Sequence, residues 1–320
     1  MKVLFFGSED FSIPALRMLS EGPHEVVAVV TQPDRKKGRG HQESGTEVAE
    51  YAHSRGIPLL KPEKLKDPGF LETLKDLAPD LVVVCAYGKI LRQRVLVCPR
   101  LGCINVHPSL LPRYRGATPI EAALRSGDTI TGVTIFYMDE GCDTGDIIVQ
   151  KQYPIGPDDT RGSLREKLSH FATGVLGEAL ELISEGKAPR CRQTDEGVCC
   201  TALIEKEDTF IDWSLPAENL VNFTRSLWPR PSAQTLFRGK LLKVAPLSMA
   251  PVSHGGTARP GEILEVRKNE GPLVATGKGV VKLGEVKPEG KKLMTAWQFS
   301  LGYSPRAGES FSLPEGCPSL

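Results

Sequence analysis

Residues 1–30 read MKVLFFGSEDFSIPALRMLSEGPHEVVAVV and hold two apolar runs, 3–6 and 26–30, with a helical pattern at 11–19 between them. Short β-rich runs that alternate with helical periodicity predict parallel strands, because each helix returns the chain to the same edge of the sheet. Another helical pattern and an apolar run at 81–85 continue the alternation. We therefore expect an α/β fold with a doubly wound, mostly parallel, Rossmann-like sheet.

The pattern changes in the second half of the chain. Strand-like runs at 132–138 and 147–153 flank a Gly-rich turn, which indicates antiparallel strands at one edge of the sheet. A long amphipathic helix is expected at 162–184. Beyond a polar segment, short β-like runs broken by Gly and Pro predict a second, smaller β-barrel domain of the OB kind. The expected organisation is a first domain at 1–186, a linker at 187–204, a β-barrel domain at 205–310 and a tail at 311–320.

Length and composition set broad limits on the class of protein. A chain of 320 residues has room for about two domains, and 40% hydrophobic with 25% charged residues excludes disordered and collagenous classes. No apolar run approaches the roughly 18 residues that cross a bilayer, and the sequence begins as a strand, so we expect a cytoplasmic protein with no leader and no membrane partner. Eight cysteines without a C-x-x-C pair indicate reduced thiols and no metal.

The densest group of chemically useful residues is at 102–116, which reads GCINVHPSLLPRYRG. A strand that ends near 106 delivers the next residues to the crevice at the carboxyl edge of the sheet. Asn105 and His107 are two apart, so their side chains share one face of the strand. An amide donor beside an imidazole suits a reaction at a carbonyl, because one group stabilises an oxyanion and the other moves a proton.

A second polar loop, 138–146, follows another expected strand and offers carboxylates, including Asp143, that could orient the imidazole. Taken alone, an Asn-x-His pair more often caps a turn, and an acidic Gly-rich loop is more often a plain turn. The chain has no G-x-S-x-G and no P-loop motif, and the first strand ends in Gly7-Ser8-Glu9-Asp10, without the dinucleotide fingerprint. A Rossmann-like sheet without that fingerprint argues against NAD.

Residues 105–116, 139–145 and 7–12 resemble the folate-dependent formyltransferases. Within that group, TQPDRKKGRG at 31–40, WPRPS at 228–232 and GKKLM near the end resemble the methionyl-tRNA formyltransferases. The resemblance implies transfer of a formyl group from 10-formyltetrahydrofolate, a co-substrate, to the α-amine of methionyl initiator tRNA. It also implies direct attack by the amine, without a metal, and a catalytic group made of Asn105, His107 and Asp143.

The same resemblance assigns the two binding surfaces. The expected folate contacts are Ser109, Leu110, Leu111 and Pro112, together with backbone groups of Ala86, Tyr87 and Gly88. The expected tRNA contacts come from a cationic loop and from the stretch 219–261, which carries no acid. They are Arg35, Lys36, Lys37, Arg39, Arg225, Arg238, Lys240 and Lys243. Without the resemblance, both basic segments would more often be solvated surfaces. No obligate protein partner is expected.

Other functions fit parts of the sequence. A glycinamide ribonucleotide formyltransferase shares the residues around Asn105 and His107 but leaves the second domain unexplained. Amino-sugar N-formyltransferases and the hydrolase part of formyltetrahydrofolate dehydrogenase are nearer rivals, because both can carry a C-terminal domain; the cations at 35–39 favour tRNA. An RNA-binding protein without catalysis would explain a basic barrel, but it would not require Asn105, His107 and Asp143 together.

Overall fold

The computed structural model describes residues 1–37, 42–252 and 258–314. The chain separates into two compact units. The first consists of 1–119, 130–154 and 165–201, and the second of 120–129, 155–164 and 202–320. The units are therefore not the uninterrupted segments 1–186 and 205–310 that the sequence suggests. The described α-helices are α1 Ile13–Glu21, α2 Glu47–Ser54, α3 Pro68–Leu77, α4 Gln93–Leu96, α5 Pro119–Arg125, α6 Arg161–Ser184, α7 Ala217–Leu227 and α8 Ala296–Tyr303.

The strands follow the apolar runs of the sequence. In the first unit they are β1 Lys2–Gly7, β2 Glu25–Val30, β3 Arg35–Lys37, β4 Gln42–Ser44, β5 Leu59–Leu60, β6 Leu81–Cys85, β7 Cys103–His107, β8 Arg115–Gly116, β9 Ile130–Tyr137, β10 Ile147–Pro154 and β11 Cys200–Thr201. In the second unit they are β12 Ala233–Phe237, β13 Lys240–Val244, β14 Ser248–Met249, β15 Ile263–Arg267, β16 Gly271–Ala275, β17 Val280–Lys282, β18 Glu285–Pro288, β19 Met294–Thr295 and β20 Phe311–Ser312.

The first unit is built on a seven-stranded sheet of order β10-β9-β7-β6-β1-β2-β5. The five strands from β5 to β7 are parallel, and β9 and β10 are antiparallel at the edge. All five residues of β6 are buried, as a strand covered on both faces requires. The predicted α/β class, with a mostly parallel sheet and antiparallel strands at one edge, is confirmed.

The strand order reverses at β1, and this positions the site. The chain leaves β1 for β2 on one side and reaches β6 on the other, so a crevice opens at the carboxyl ends of these strands. The loops after β1 and β6 meet there, because the amide of Ser8 donates to the carbonyl of Ala86 at 3.1 Å. The neighbouring strand, β7, ends at His107.

The second unit surrounds its own hydrophobic core, which includes Leu220, Phe223, Leu242, Val274 and Val286. The strands of the expected barrel pair in two antiparallel sheets. Their orders are β19-β18-β13-β12-β20 and β14-β17-β16-β15. Both sheets contribute apolar residues to the one core. The sequence predicted the short strands of this unit but not their pairing.

The C-terminal segment corrects the predicted start of the tail. Phe311 and Ser312 pair with β12 as a strand. The ring of Phe311 is 2% exposed and stacks on Trp213 with the ring centroids 5.7 Å apart. An aromatic side chain buried in this way holds its segment in the core, so residues 311–312 are part of the second unit.

Candidate active site

The structure brings the three predicted catalytic residues together from two elements of the first unit. Asn105 and His107 belong to β7, and Asp143 lies in the loop between β9 and β10. The Nδ1 atom of His107 is 3.6 Å from Oδ2 of Asp143. The same carboxylate oxygen accepts a hydrogen bond from the amide of Gly116 at 2.7 Å. The imidazole is therefore next to a carboxylate that is itself held by the backbone.

The proton positions on His107 follow from its partners. Its Nε2 atom is 2.9 Å from the carbonyl oxygen of Tyr114, and a carbonyl only accepts, so Nε2 carries a proton. In the neutral ring Nδ1 is then free of a proton and faces Asp143. Burial lowers the pKa of His107, against the opposing effects of Asp143 and of the Tyr114 carbonyl. The arrangement favours a neutral imidazole that can take up one proton with a carboxylate beside it.

Asn105 completes the group with a hydrogen-bond donor. Its backbone is fixed in the middle of the sheet, opposite Val84 on one side and Phe136 on the other. The side chain is half-buried, and within 1–37, 42–252 and 258–314 its amide has no hydrogen-bond partner. A rigidly mounted amide with free donors can stabilise negative charge on an oxygen.

The loop after His107 is held by hydrogen bonds of buried residues. Ser109 is fully buried, and its hydroxyl donates to the carbonyl of Arg113 at 2.7 Å. Leu111 is 3% exposed, and its carbonyl accepts from Nε2 of Gln150 at 2.9 Å. The Ser109 hydroxyl and the Leu111 carbonyl therefore hold the loop, and the predicted folate contacts of these two residues stay predictions. Leu110 and Pro112 are half-buried and keep a reachable surface.

The loop after β6 offers backbone rather than side-chain groups. The ring of Tyr87 is 2% exposed and packs edge to face on Phe6 in the core, with centroids 5.1 Å apart. Ala86 and Gly88 on either side have positive φ of 45° and 75°. A Cβ atom at Gly88 would lie 2.8 Å from Nε2 of Gln32, so glycine is required there. Gly88 is exposed, so the loop presents its backbone to solvent at this position.

Arg225, predicted to bind tRNA, is a structural residue of the second unit. It is 8% exposed, and its Nη1 donates to the carbonyls of Gly156, Pro157 and Asp159 at 3.3, 3.3 and 3.4 Å. Burial lowers the pKa of its guanidinium. A guanidinium enclosed by carbonyl groups has little surface to offer a phosphate, so the structure indicates a structural role, and the tRNA contact stays a prediction.

We expect Arg225→Ala to destabilise the protein by about 3 kcal/mol, because it leaves buried carbonyl groups without a donor. Urea unfolding followed by circular dichroism measures the change. The control is Lys240→Ala, at an exposed position of the same unit, which should shift stability by less than about 0.5 kcal/mol. Equal stability of the Arg225 variant and the parent protein would contradict the structural role.

The guanidinium of Arg238 is also hydrogen-bonded within the second unit. Its guanidinium donates to both carboxylate oxygens of Glu309 at 2.8 Å and to the carbonyls of Tyr303 and Ser304. Glu309 balances its charge, and the predicted tRNA contact of this residue stays a prediction.

The lysines of β13 are better placed for a phosphate. Lys240 is exposed, and Lys243 lies opposite Lys287 on the neighbouring strand. Neither Lys240 nor Lys287 makes an ion pair with any residue that the structure describes. Sequence reasoning missed Lys287, although strand alternation between the buried Val286 and Pro288 places it outward.

The cationic loop is described in part. Arg35, Lys36 and Lys37 form β3, which pairs with residues 42–44. Arg39, also predicted to bind tRNA, lies outside the described residues.

The predicted linker contributes to the active site, and sequence reasoning missed this. Cys200 and Thr201 pair as a strand with Arg115 and Gly116, and Gln193 binds the backbone of the Asp143 loop. The segment is polar and without periodicity, so no pattern in it indicates such contacts. Among the described residues, no cluster of three or more His, Cys, Asp or Glu side chains could hold a metal ion, and no helix is long and apolar enough to cross a membrane.

Two family models match this chain. A family model described as formyl transferase matches residues 1–180, and one described as formyl transferase, C-terminal domain, matches residues 203–304. The fold and the two matches define the class of protein as a formyl transferase with a C-terminal domain.

A methionyl-tRNA formyltransferase of Halothermothrix orenii is 42% identical over 313 residues, which cover 97% of this chain and 99% of the relative. The chain belongs to the methionyl-tRNA formyltransferase family. The resemblance found in the sequence is thus confirmed, and the reaction class is formyl transfer to methionyl-tRNA.

Two solved structures share the fold at lower identity. HypX of Aquifex aeolicus, in complex with tetrahydrofolic acid, has a TM-score of 0.65 and 18% identity and covers 97% of this chain and 48% of its own. An N-formyltransferase of Helicobacter canadensis, in complex with folinic acid and dTDP-3-aminofucose, has a TM-score of 0.66 and 16% identity and covers 88% and 98%.

Proposed function

We propose that this protein transfers the formyl group of 10-formyltetrahydrofolate to the α-amine of methionyl initiator tRNA by direct attack of the amine. The observation that carries the proposal is that Nδ1 of His107 lies 3.6 Å from Oδ2 of Asp143, while Asn105, on the same strand as His107, has an amide with no hydrogen-bond partner among the described residues. These groups supply what an acyl transfer to an amine requires: an oxyanion donor, a proton acceptor and a charge that supports the protonated acceptor.

The residues act in a simple order. The amine attacks the formyl carbon, and Asn105 donates to the carbonyl oxygen as it gains negative charge. His107 takes the proton that the attacking nitrogen loses, and Asp143 stabilises the imidazolium. When the carbon–nitrogen bond to the folate breaks, His107 returns the proton to the leaving nitrogen. No bond forms between substrate and protein in this scheme.

The two binding surfaces are assigned to different units. The backbone of 86–88, the half-buried Leu110 and Pro112, and the crevice at the carboxyl ends of β1 and β6 support folate binding by the first unit. A flat, edge-polar pterin suits a surface of backbone groups. The lysines of the second unit, Lys240, Lys243 and Lys287, support contact with the phosphates of the tRNA.

The direct test compares acceptors. Formyl transfer from 10-formyltetrahydrofolate is measured with methionyl initiator tRNA, uncharged tRNA and an amino-sugar nucleotide. We expect product only with the charged tRNA. Formylation of the sugar nucleotide in place of the tRNA would overturn the proposal in favour of the sugar formyltransferases.

The dependence of KM on salt concentration distinguishes the tRNA surface from the folate surface. We expect KM for methionyl-tRNA to rise steeply with salt concentration, because phosphate contacts release counterions, while KM for the folate barely changes. In the double variant Lys243→Ala/Lys287→Ala, the slope of log KM for tRNA against log salt should fall by about 2, one for each lost contact.

Lys268→Ala is the matched control, because Lys268 is an exposed lysine of the same unit in the turn between β15 and β16. Its salt slope should equal that of the parent protein. A parent slope near zero, or a double variant with an unchanged slope, would remove these lysines from the tRNA surface.

A further inference from the structure

Gln193 uses all of its side-chain hydrogen-bonding groups beside the active site. It is 8% exposed. Its Nε2 donates to the carbonyl of Asp143 and to the carbonyl of Gly145, both at 2.8 Å. Its Oε1 accepts from Nη2 and Nε of Arg115 at 2.7 and 3.1 Å. One amide therefore joins the Asp143 loop to the strand that carries Arg115.

The two elements joined by Gln193 are those that define the position of the Asp143 carboxylate. The loop presents the carboxylate from a residue with φ of 55°, a conformation that a residue with a Cβ rarely adopts. The strand presents the amide of Gly116, the residue after Arg115, which donates to that carboxylate. A shift of either element would change the distance from Asp143 to the imidazole.

The segment that carries Gln193 is anchored without its side chain. Cys191 and Ile147 exchange two backbone hydrogen bonds at 2.8 and 3.1 Å. Farther along, the amide of Arg115 donates to the carbonyl of Cys199 at 3.0 Å, and the hydroxyl of Thr201 accepts from the amide of Thr118 at 3.0 Å. These contacts hold the segment in place without the side-chain amide of Gln193. The amide can therefore position the Asp143 loop that it binds.

We propose that Gln193 is a positioning residue that holds Asp143 against His107 during formyl transfer. The proposal rests on the proposed function, in which Asp143 supports the protonated imidazole. Gln193 acts through the backbone of the loop and touches no substrate, so its removal should disturb the alignment of the pair and leave both substrate surfaces intact.

The experiment uses two variants of the full chain. Gln193→Leu removes all four hydrogen bonds. Gln193→Glu has a side chain of equal size and keeps an acceptor for Arg115, but it loses the donors to the two carbonyl oxygens and adds a negative charge. Gln152→Leu is the control, at an exposed position on β10 in the same unit.

We expect both Gln193 variants to lower kcat about 10- to 30-fold and to leave KM for tRNA and for folate within about 2-fold. In Gln193→Leu, which adds no charge, the acid limb of the pH profile of kcat should move to lower pH, because His107 loses part of the support of Asp143. Adding Asp143→Asn to Gln193→Leu should lower kcat no further than Asp143→Asn alone, since both changes remove one function.

Two other results would overturn the inference. Normal kcat in both variants would show that the loop needs no such support. Losses that add in the double variant, with an unmoved pH profile, would show a general structural role. The NMR titration of His107 gives a readout besides activity, and an unchanged titration in Gln193→Leu would also count against the inference. Absence of formyl transfer by the parent protein is a separate result and would refute the proposed function instead.

Discussion

Replacing His107 by alanine should lower kcat for formylation of methionyl-tRNA by about 10²- to 10⁴-fold, the range that a positioned acid–base group contributes. The physical reason is that the proton of the attacking amine then has no buried acceptor beside a carboxylate. Folate affinity should change little, because no ligand surface is assigned to the imidazole. Single-turnover kinetics with saturating folate measures the effect on the chemical step.

Two further variants accompany this one, a second test of the mechanism and a control. Asn105→Ala removes the oxyanion donor and should also cost about 10²-fold or more in kcat. His170→Ala, at an exposed position on α6, should leave kcat unchanged. Turnover near that of the parent protein in the His107 or Asn105 variant would remove that residue from the mechanism.

The second large effect is expected from Asp143→Asn, which keeps the shape of the side chain and the contact with Gly116 but removes the charge. We expect kcat to fall about 10²-fold at its plateau. Asp143 raises the pKa of His107, against the lowering by burial. Without the carboxylate the pKa of His107 falls further. Since the neutral ring is the proton acceptor, activity rises as pH passes through that pKa, so the acid limb should move to lower pH.

The matched control is Glu140→Gln, which removes one negative charge from an exposed position of the same loop. It should change neither the plateau nor the acid limb. A pH profile of Asp143→Asn that superimposes on that of the parent protein would show that the carboxylate does not support the imidazole.

The sequence predicted the parts of the site that depend on local periodicity. The end of β7 and the shared face of Asn105 and His107 follow from a strand with a period of two. The crevice follows from the alternation of strands and helices, because parallel strands deliver their carboxyl ends to one edge. The Asp143 loop was found as a polar segment after an expected strand.

What the sequence did not indicate is how the side chains of Arg225, Ser109 and Gln193 are held by the fold. Arg225 lies in an acid-free stretch, and charge pattern alone does not distinguish a solvated guanidinium from one enclosed by the carbonyls of 156–159. Ser109 is next to the catalytic strand, yet its hydroxyl closes a turn. Gln193 is 50 residues from Asp143, in a segment with no periodicity, and its role is visible only in the folded chain.

The contacts of 187–204 change where a catalytic fragment of this enzyme can end. A fragment cut at 186, or at residue 180 where the first family match ends, would contain Asn105, His107 and Asp143. It would lack Gln193 and also the strand Cys200–Thr201 that pairs with Arg115 and Gly116. Such a fragment would keep the three residues proposed to react and lose contacts that hold the Asp143 loop and the strand of Arg115. A fragment that keeps these contacts must extend at least through residue 201, where the last segment of the first compact unit ends.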